Sequence, residues 1–172
     1  MTPFTVILGL EGHVHGNARV SHPEDGGHAL AQRTTLDFGP ACIIRLQERW
    51  RFSDRVRLLA GAADDPRVAA PLAEARALIL FEEGTYGLAP GTLHVVQGRK
   101  VAESLGPDVS VGAARMALVG CQTGTAQQVS DQVDPGVEVA LTILRAWGVC
   151  PQPGRMSSGA GGARARQPEA VG

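Results

Sequence analysis

The chain has 172 residues and a mass of 18.0 kDa, which suits one compact domain and is too short for two ordinary ones. Apolar residues make up 44% and charged residues 19% of it, so a wholly disordered or fibrous chain is excluded. Lys and Arg number 16 against 17 Asp and Glu, giving a formal net charge of -1. This balance provides no general attraction to nucleic acid or anionic lipid, and we expect neither nucleic acid nor a membrane among its partners.

The N-terminal segment and the cysteines predict a cytoplasmic protein. Residues 1–10 lack a positively charged start and run directly into a strand-like pattern, so they do not resemble a secretory signal. Apolar runs such as 77–81 are far shorter than the roughly 18 to 20 residues that cross a bilayer. The three cysteines lack Cys-x-x-Cys spacing, and we expect reduced thiols rather than a disulfide framework or a zinc site.

Buried-strand patterns alternate with helical ones along the chain. The predicted elements, in order, are a strand at 6–8, a helix at 40–50, a strand at 56–59, a helix at 68–75, a central strand at 77–81, an edge or antiparallel strand at 92–96, a strand at 116–119 and a helix at 133–147 that stops at Gly148. This order predicts a single α/β domain over 1–150, with a mostly parallel sheet covered on both faces.

Two segments fall outside this alternation. Residues 11–37 form an irregular His- and Gly-rich insertion with no sustained period. Residues 151–172 are mostly Gly, Pro, Ala, Ser and Arg, so we predict a disordered tail there.

The insertion offers a set of potential metal ligands, because neutral imidazole and carboxylate suit nickel or zinc. The candidates are His13, His15, His22, Glu24, Asp25 and His28. The alternative is a solvated or partly disordered loop that binds nothing, since many His-rich loops lack tight ligand geometry.

Three stretches together resemble the nickel-iron hydrogenase maturation endopeptidases. They are RLQERW with VRLL at 45–59, ALILFEEGTYGLAPGTLHVV at 77–96, and MALVGCQ at 116–122. The resemblance implies a three-layer α/β sandwich around about five strands. It also implies an enzyme that removes a C-terminal extension from the hydrogenase large-subunit precursor after nickel insertion. Nickel would be recognised in that precursor rather than held as a cofactor, and hydrogenase assembly chaperones are further expected partners.

The metal-recognition positions of that family are altered in this sequence. The Glu position falls on Leu36, next to Asp37, and the Asp position falls on Ala60. No Ser-x-His segment occurs between 101 and 116. Leucine and alanine cannot ligate nickel, so the resemblance predicts a family member that is degenerate at the metal-recognition site. In another register Glu24 or Asp25 could replace the lost Glu.

Two glutamates follow the central strand at the end where α/β sheets place their ligands. Glu82 takes the position of an Asp in the family pattern and is the candidate catalytic residue. Glu83 is interpreted as a solvated turn residue. Adjacent side chains of an extended segment point to opposite faces, so the pair is not expected to act as an acid-base dyad.

Four functional hypotheses follow. The first is a member of the hydrogenase-maturation endopeptidase fold that acts in hydrogenase assembly, whether or not it cuts. The second is a non-catalytic docking or scaffold relative in hydrogenase assembly. The third is a nickel-handling protein that uses the His-rich loop, and the fourth is the product of a decaying gene. Cleavage of a precursor, binding without cleavage, and bound metal would separate them.

Overall fold

A computed structural model of the chain describes residues 3–11 and 37–154. Their elements are β1 (Thr5–Leu10), α1 (Phe38–Arg49), β2 (Trp50–Arg51), β3 (Val56–Gly61), α2 (Pro66–Glu74), β4 (Ala77–Gly84), β5 (Leu93–Gln97), a 3-10 helix (Arg99–Leu105), β6 (Arg115–Gln122), α3 (Ala126–Ser130), α4 (Val133–Ala146) and β7 (Gln152–Pro153). The eight predicted elements all occur. The sequence does not predict the other four, which are the 3-10 helix, α3, β2 and β7, because each is too short to show a hydrophobic period.

The central sheet has five strands in the order β3-β1-β4-β6-β5. All neighbouring strands are parallel except β5, which pairs antiparallel with β6. The mostly parallel α/β sheet and the antiparallel strand predicted at 92–96 are therefore confirmed. After β1 the chain adds β3 on one side and then β4 on the other, so the strand order reverses between β1 and β4.

Helices cover both faces of this sheet and complete the predicted three layers. On one face, called the α1 face, α1, α3 and α4 enclose a core in which the rings of Phe38 and Phe81 meet edge to face at 6.1 Å. On the other, called the α2 face, α2 and the 3-10 helix cover a core that includes Leu72, Leu80 and Val101. The strands β1, β4 and β6 are buried on both sides, which explains their continuous apolar runs.

The ends of α2 and α4 follow from local sequence signals. Asp65 caps α2, because its carboxylate accepts a hydrogen bond from the backbone N–H of Arg67 at 2.9 Å, and Pro66 occupies the first helical position. After α4, Gly148 adopts a left-handed φ of 81°, as expected of a helix stop.

The chain remains ordered slightly beyond the predicted end of the domain. β7 pairs antiparallel with β2, placing Pro153 opposite Trp50, and the N–H of Gly154 donates to the carbonyl of Arg49 at 2.7 Å. The prediction of disorder from 151 onward is therefore wrong for residues 151–154. Its composition argument missed this pairing, because backbone hydrogen bonds to a neighbouring strand require no apolar side chain.

No helix within the described ranges is long and apolar enough to cross a membrane.

Candidate functional site

The candidate site lies at the edge of the sheet where the parallel strands end, called here the carboxyl edge. β1, β3, β4 and β6 all finish at this edge, and α1 begins there after its N-cap residue Asp37. Glu11, Ala60, Glu83 and Gln122 lie at or next to the ends of four different strands. This is the position, beside the reversal of strand order, at which open α/β sheets bind ligands.

The start of α1 contacts the sheet backbone directly. A Cβ atom at Gly39 would lie 2.5 Å from the carbonyl oxygen of Leu10 and 2.8 Å from that of Phe81. A Cβ atom at Gly9 would collide with the backbone of Gly39 in the same way. Two glycines therefore permit the close approach that brings the N-terminus of α1 between β1 and β4.

Glu83 points to the α1 face and interacts with the start of α1. It is half-buried in β4, lies in register with Cys121 of β6, and receives a hydrogen bond from the backbone of Phe38. Burial raises the pKa of the Glu83 carboxyl and the nearby charge of Asp37 adds to this rise, while the hydrogen bond opposes it. The interpretation of Glu83 as a solvated turn residue is wrong, because this carboxylate satisfies an amide at a helix N-terminus.

Glu82 points to the α2 face, where it contacts Tyr86. The Tyr86 hydroxyl donates to Oε2 of Glu82 at 3.3 Å, and the Tyr86 ring packs against that of His94 at 4.9 Å. Burial, followed by the adjacent charge of Glu82, raises the pKa of Tyr86. Glu82 and Glu83 are thus on opposite sides of the sheet, which confirms that they do not form a dyad.

Gln122 organises the loop at 85–91, called the 85–91 loop. Its buried side-chain oxygen accepts hydrogen bonds from the backbone N–H groups of Tyr86 at 2.8 Å and Leu88 at 3.2 Å. Its backbone carbonyl accepts a third from Gly91 at 3.0 Å. The Tyr86 ring lies across Gly120, where a Cβ atom would be 2.6 Å from the hydroxyl. Sequence reasoning missed Gln122, whose only signal was a polar residue at the end of a buried strand.

Of the positions that the sequence connects with metal recognition, Ala60 is within the described residues and the others are outside them. Ala60 lies at the end of β3, in register with Gly9 of β1, so a side chain with no ligand atom occupies the carboxyl edge there. The positions that lie outside the described residues are Leu36, His13, His15, His22, Glu24, Asp25 and His28. Within 3–11 and 37–154, no group of three or more His, Cys, Asp or Glu side chains could hold a metal ion.

The cysteines add no nucleophile to this edge. Burial raises the pKa of the Cys121 thiol to about 11, with a further rise from the charge of Glu83, so the thiol stays protonated at neutral pH. Cys42 is buried and its pKa is also raised, chiefly by burial, whereas Cys150 is exposed.

Within 3–11 and 37–154, Glu82 and Glu83 therefore do not converge on one point of the carboxyl edge. The Glu83 carboxylate accepts a hydrogen bond from the start of α1 on the α1 face. The Glu82 carboxylate accepts one from the Tyr86 hydroxyl on the α2 face. Hydrolysis by general acid-base catalysis needs groups that reach the same reacting atoms, and these two cannot.

Comparison with curated proteins identifies close relatives. The chain is 32% identical over 142 residues to the hydrogenase expression/formation protein HupM of Azotobacter chroococcum mcd 1, covering 67% of this chain and 68% of that protein. It is 32% identical over 138 residues to HoxM of Azotobacter vinelandii, covering 65% of this chain and 67% of that protein. It is 30% identical over 138 residues to HupD of Rhodobacter capsulatus, covering 65% and 66%. No protein-family model matches the chain.

Solved structures show the same fold. The Escherichia coli hydrogenase maturating endopeptidase HybD superposes with a TM-score of 0.62 at 17% identity, covering 87% of this chain and 97% of that one. The hydrogenase maturation protease HycI of Thermococcus kodakarensis KOD1 gives a TM-score of 0.51 at 18% identity, covering 83% and 92%. The sequence identities of the curated relatives, together with this shared fold, show that the chain belongs to the hydrogenase expression/formation protein family.

Proposed function

We propose that this chain binds a hydrogenase large-subunit precursor at the carboxyl edge of its sheet and acts in hydrogenase maturation without cleaving that precursor. Family membership and the shared fold support the hydrogenase context. The observation that carries the non-cleaving part is Ala60, which occupies the carboxyl edge where the resembling endopeptidases have a metal-recognising Asp. In this proposal nickel belongs to the bound precursor and is not a resident cofactor.

Metal chemistry supports the distinction between binding and cleavage. A borderline divalent ion needs several ligands presented together, and losing one first-shell carboxylate removes much of the affinity. Glu83 also lies at the carboxyl edge, but its carboxylate already accepts a hydrogen bond from the start of α1. The close packing of α1 on β1 and β4 nevertheless preserves the shape of the edge, so a surface for the precursor is retained.

Cysteine usage supports the proposed cytoplasmic location. All three cysteines are free, and the exposed Cys150 has no disulfide partner. Free thiols are typical of reducing compartments such as the cytoplasm.

The test is to incubate the purified protein with a nickel-loaded large-subunit precursor that carries its C-terminal extension. Sizing chromatography would measure complex formation, and intact mass spectrometry would measure removal of the extension. We expect co-elution with no loss of mass. Release of the extension would contradict the non-cleaving role, and failure to co-elute would contradict the binding role.

Ala60→Asp is the informative variant, because it restores a carboxylate at an exposed site that should accept one without unfolding. We expect it to increase the preference for nickel-loaded over nickel-free precursor. Ala60→Asn, which has nearly the same shape but no charge, is the matched control. Equal preferences for the two variants would show that residue 60 does not lie at the nickel.

Metal analysis of the purified protein tests the nickel-handling alternative. Stoichiometric nickel that disappears when His13, His15, His22 and His28 are replaced by Ala would favour that alternative over precursor binding. Metal-free protein that still co-elutes with the precursor would support the present proposal.

A further inference from the structure

Among the strands of residues 3–11 and 37–154, β5 lies at one edge of the sheet and is the only one that pairs antiparallel within it. The Gln122 N–H donates to the Thr92 carbonyl at 2.8 Å, and the Gly98 N–H donates to the Met116 carbonyl at 2.9 Å. Because hydrogen-bonding direction alternates along an antiparallel strand, the even-numbered residues of β5 face β6. The backbone N–H and C=O groups of Leu93, Val95 and Gln97 therefore point away from the sheet.

Apolar side chains lie along this edge. The large hydrophobic side chains that are exposed among the described residues are Ile44, Leu88 and Val95. Val95, 44% exposed, is in the middle of β5, and Leu88, 41% exposed, is in the 85–91 loop that leads into it. An edge strand with unpaired backbone groups and exposed apolar side chains is a template for another strand, and proteins usually protect such edges.

Three cationic residues lie at or just beyond the end of β5 that is opposite the 85–91 loop. Arg99 and Lys100 follow the strand directly, and Arg115 begins the neighbouring strand β6. All three are exposed, and none takes part in the ion pairs found among the described residues. Unpaired cations beside a strand edge favour a partner that carries carboxylates at that point.

We propose that the β5 edge, with Leu88 at one end and Arg99, Lys100 and Arg115 at the other, docks an extended peptide segment of the precursor. The segment would add as a sixth strand, with apolar residues at alternate positions and acidic residues beside the cations. Main-chain hydrogen bonds would provide affinity and the flanking side chains would provide selectivity. This inference rests on the proposed function, because the precursor supplies the peptide.

The hydrogen bonds that the Gln122 side chain accepts organise this surface before binding. They hold the backbone at Tyr86 and Leu88, so the 85–91 loop next to the β5 edge is already ordered in the free protein. A surface that is ordered in advance loses less conformational entropy when a peptide binds.

An array of overlapping synthetic peptides that tile the precursor would identify the segment, and fluorescence anisotropy would then measure its dissociation constant. We expect binding to be confined to peptides with alternating apolar residues next to acidic ones. Amide hydrogen exchange should slow at Leu93, Val95 and Gln97 when the peptide is bound. Binding that leaves these amides unchanged would overturn the proposal.

Val95→Pro removes one outward N–H without removing a hydrogen bond to β6, as proline can at a sheet edge. We expect it to weaken peptide binding about tenfold. Val95→Ile keeps the N–H, the β-branched shape and the apolar character of the side chain, and is the matched control with near-normal binding. Thermal melting would confirm that both variants are folded. Normal binding by a folded Val95→Pro protein would overturn the proposal.

Arg99→Glu combined with Lys100→Glu tests the cationic residues independently, should Val95→Pro fail to fold. We expect about fivefold weaker binding at low salt and a smaller difference at high salt. Arg99→Lys combined with Lys100→Arg preserves the charge and should bind normally. Equal binding by the two double variants would contradict the predicted acidic segment.

Full-length precursor separates failure of this inference from failure of the proposed function. Unchanged co-elution of the precursor with folded Val95→Pro would overturn the β5 inference and leave the proposed function intact. No co-elution with the unmodified protein would overturn the proposed function. A homodimer that Val95→Pro dissociates would assign the edge to a second copy of the chain and contradict the peptide proposal.

Discussion

On the α1 face, the carboxyl edge is built mainly from backbone contacts, with Gly39 against β1 and β4 and Glu83 at the start of α1. On the α2 face, the same edge is built from side-chain hydrogen bonds, with Gln122 holding the 85–91 loop and Tyr86 reaching Glu82. The two faces share the same strands, yet they use polar side chains differently.

This difference shows that the shape of the edge and its chemistry are separable. Ala60 contributes no ligand on the α1 face, but the glycine contacts that bring α1 to the sheet do not depend on a side chain at residue 60. The order of the 85–91 loop, in contrast, depends on one amide side chain. Substitutions should therefore disturb the two faces by different mechanisms and to different extents.

The largest expected effect is on the α1 face. Gly39→Ala should lower the free energy of unfolding by about 3 kcal/mol, because its Cβ would lie 2.5 Å from the Leu10 carbonyl oxygen and backbone must move. Urea denaturation would measure the loss. Gly87→Ala is the control: Gly87 has a φ of 72° but no atom within 4 Å of an added Cβ, so only about 1 kcal/mol should be lost. Equal losses would refute the close contact at α1.

The next effect is on the α2 face. Gln122→Met keeps the side-chain length but leaves the N–H groups of Tyr86 and Leu88 without their acceptor, so we expect a loss of about 2 kcal/mol. Amide exchange should also become faster in the 85–91 loop. Gln47→Met, at an exposed position in α1, should cost less than about 0.5 kcal/mol. Unchanged amide exchange in the 85–91 loop of Gln122→Met would show that this loop does not depend on the Gln122 side chain, and would contradict the difference drawn between the two faces.

A smaller effect is expected for the Tyr86 hydroxyl. Tyr86→Phe retains the ring over Gly120 and removes the 3.3 Å hydrogen bond to Glu82, so about 0.5 kcal/mol should be lost. A double-mutant cycle with Glu82→Ala, which leaves no side-chain acceptor for the hydroxyl, would isolate this pair from the other contacts of each residue. A coupling energy of zero would show that Glu82 and Tyr86 act independently.

The smallest expected effect concerns the pH dependence of Glu83. Its folded-state pKa is raised above the ordinary value, chiefly by burial, so the ionised carboxylate is disfavoured in the folded state. The associated stability is present at low pH and is lost as pH rises through the carboxyl range. Glu83→Gln should therefore gain stability relative to the unmodified protein as pH increases. Denaturation curves at several pH values would check this, and a difference that shrinks with pH would contradict the raised pKa.

Strand and helix identity were predictable because these segments have strong periods. The buried runs at 6–8, 77–81 and 116–119 became the three central strands, and the alternation at 92–96 became the antiparallel edge. The curated relatives confirm the family resemblance. The alignment behind that resemblance picked out Ala60, which the structure has near the end of β3 at the carboxyl edge.

The internal contacts of the site could not be predicted in the same way. The roles of Glu83 and Gln122 depend on the start of α1 and on a loop from another part of the chain, and no local pattern indicates such partners. The metal hypothesis for His13, His15, His22, Glu24, Asp25 and His28 stays a prediction, because these residues lie outside the described ranges.

The pairing of β7 with β2 has a practical consequence for labelling the protein. α1 starts at the carboxyl edge and, over its 12 residues, extends about 18 Å toward the end of the sheet where the parallel strands begin. There the N–H of Gly154 is hydrogen-bonded to the carbonyl of Arg49. A fluorophore or surface-immobilisation tag attached just after Gly154 would consequently be anchored away from Glu82, Glu83 and Gln122. Attachment at that point should leave the carboxyl edge accessible to a precursor in solution.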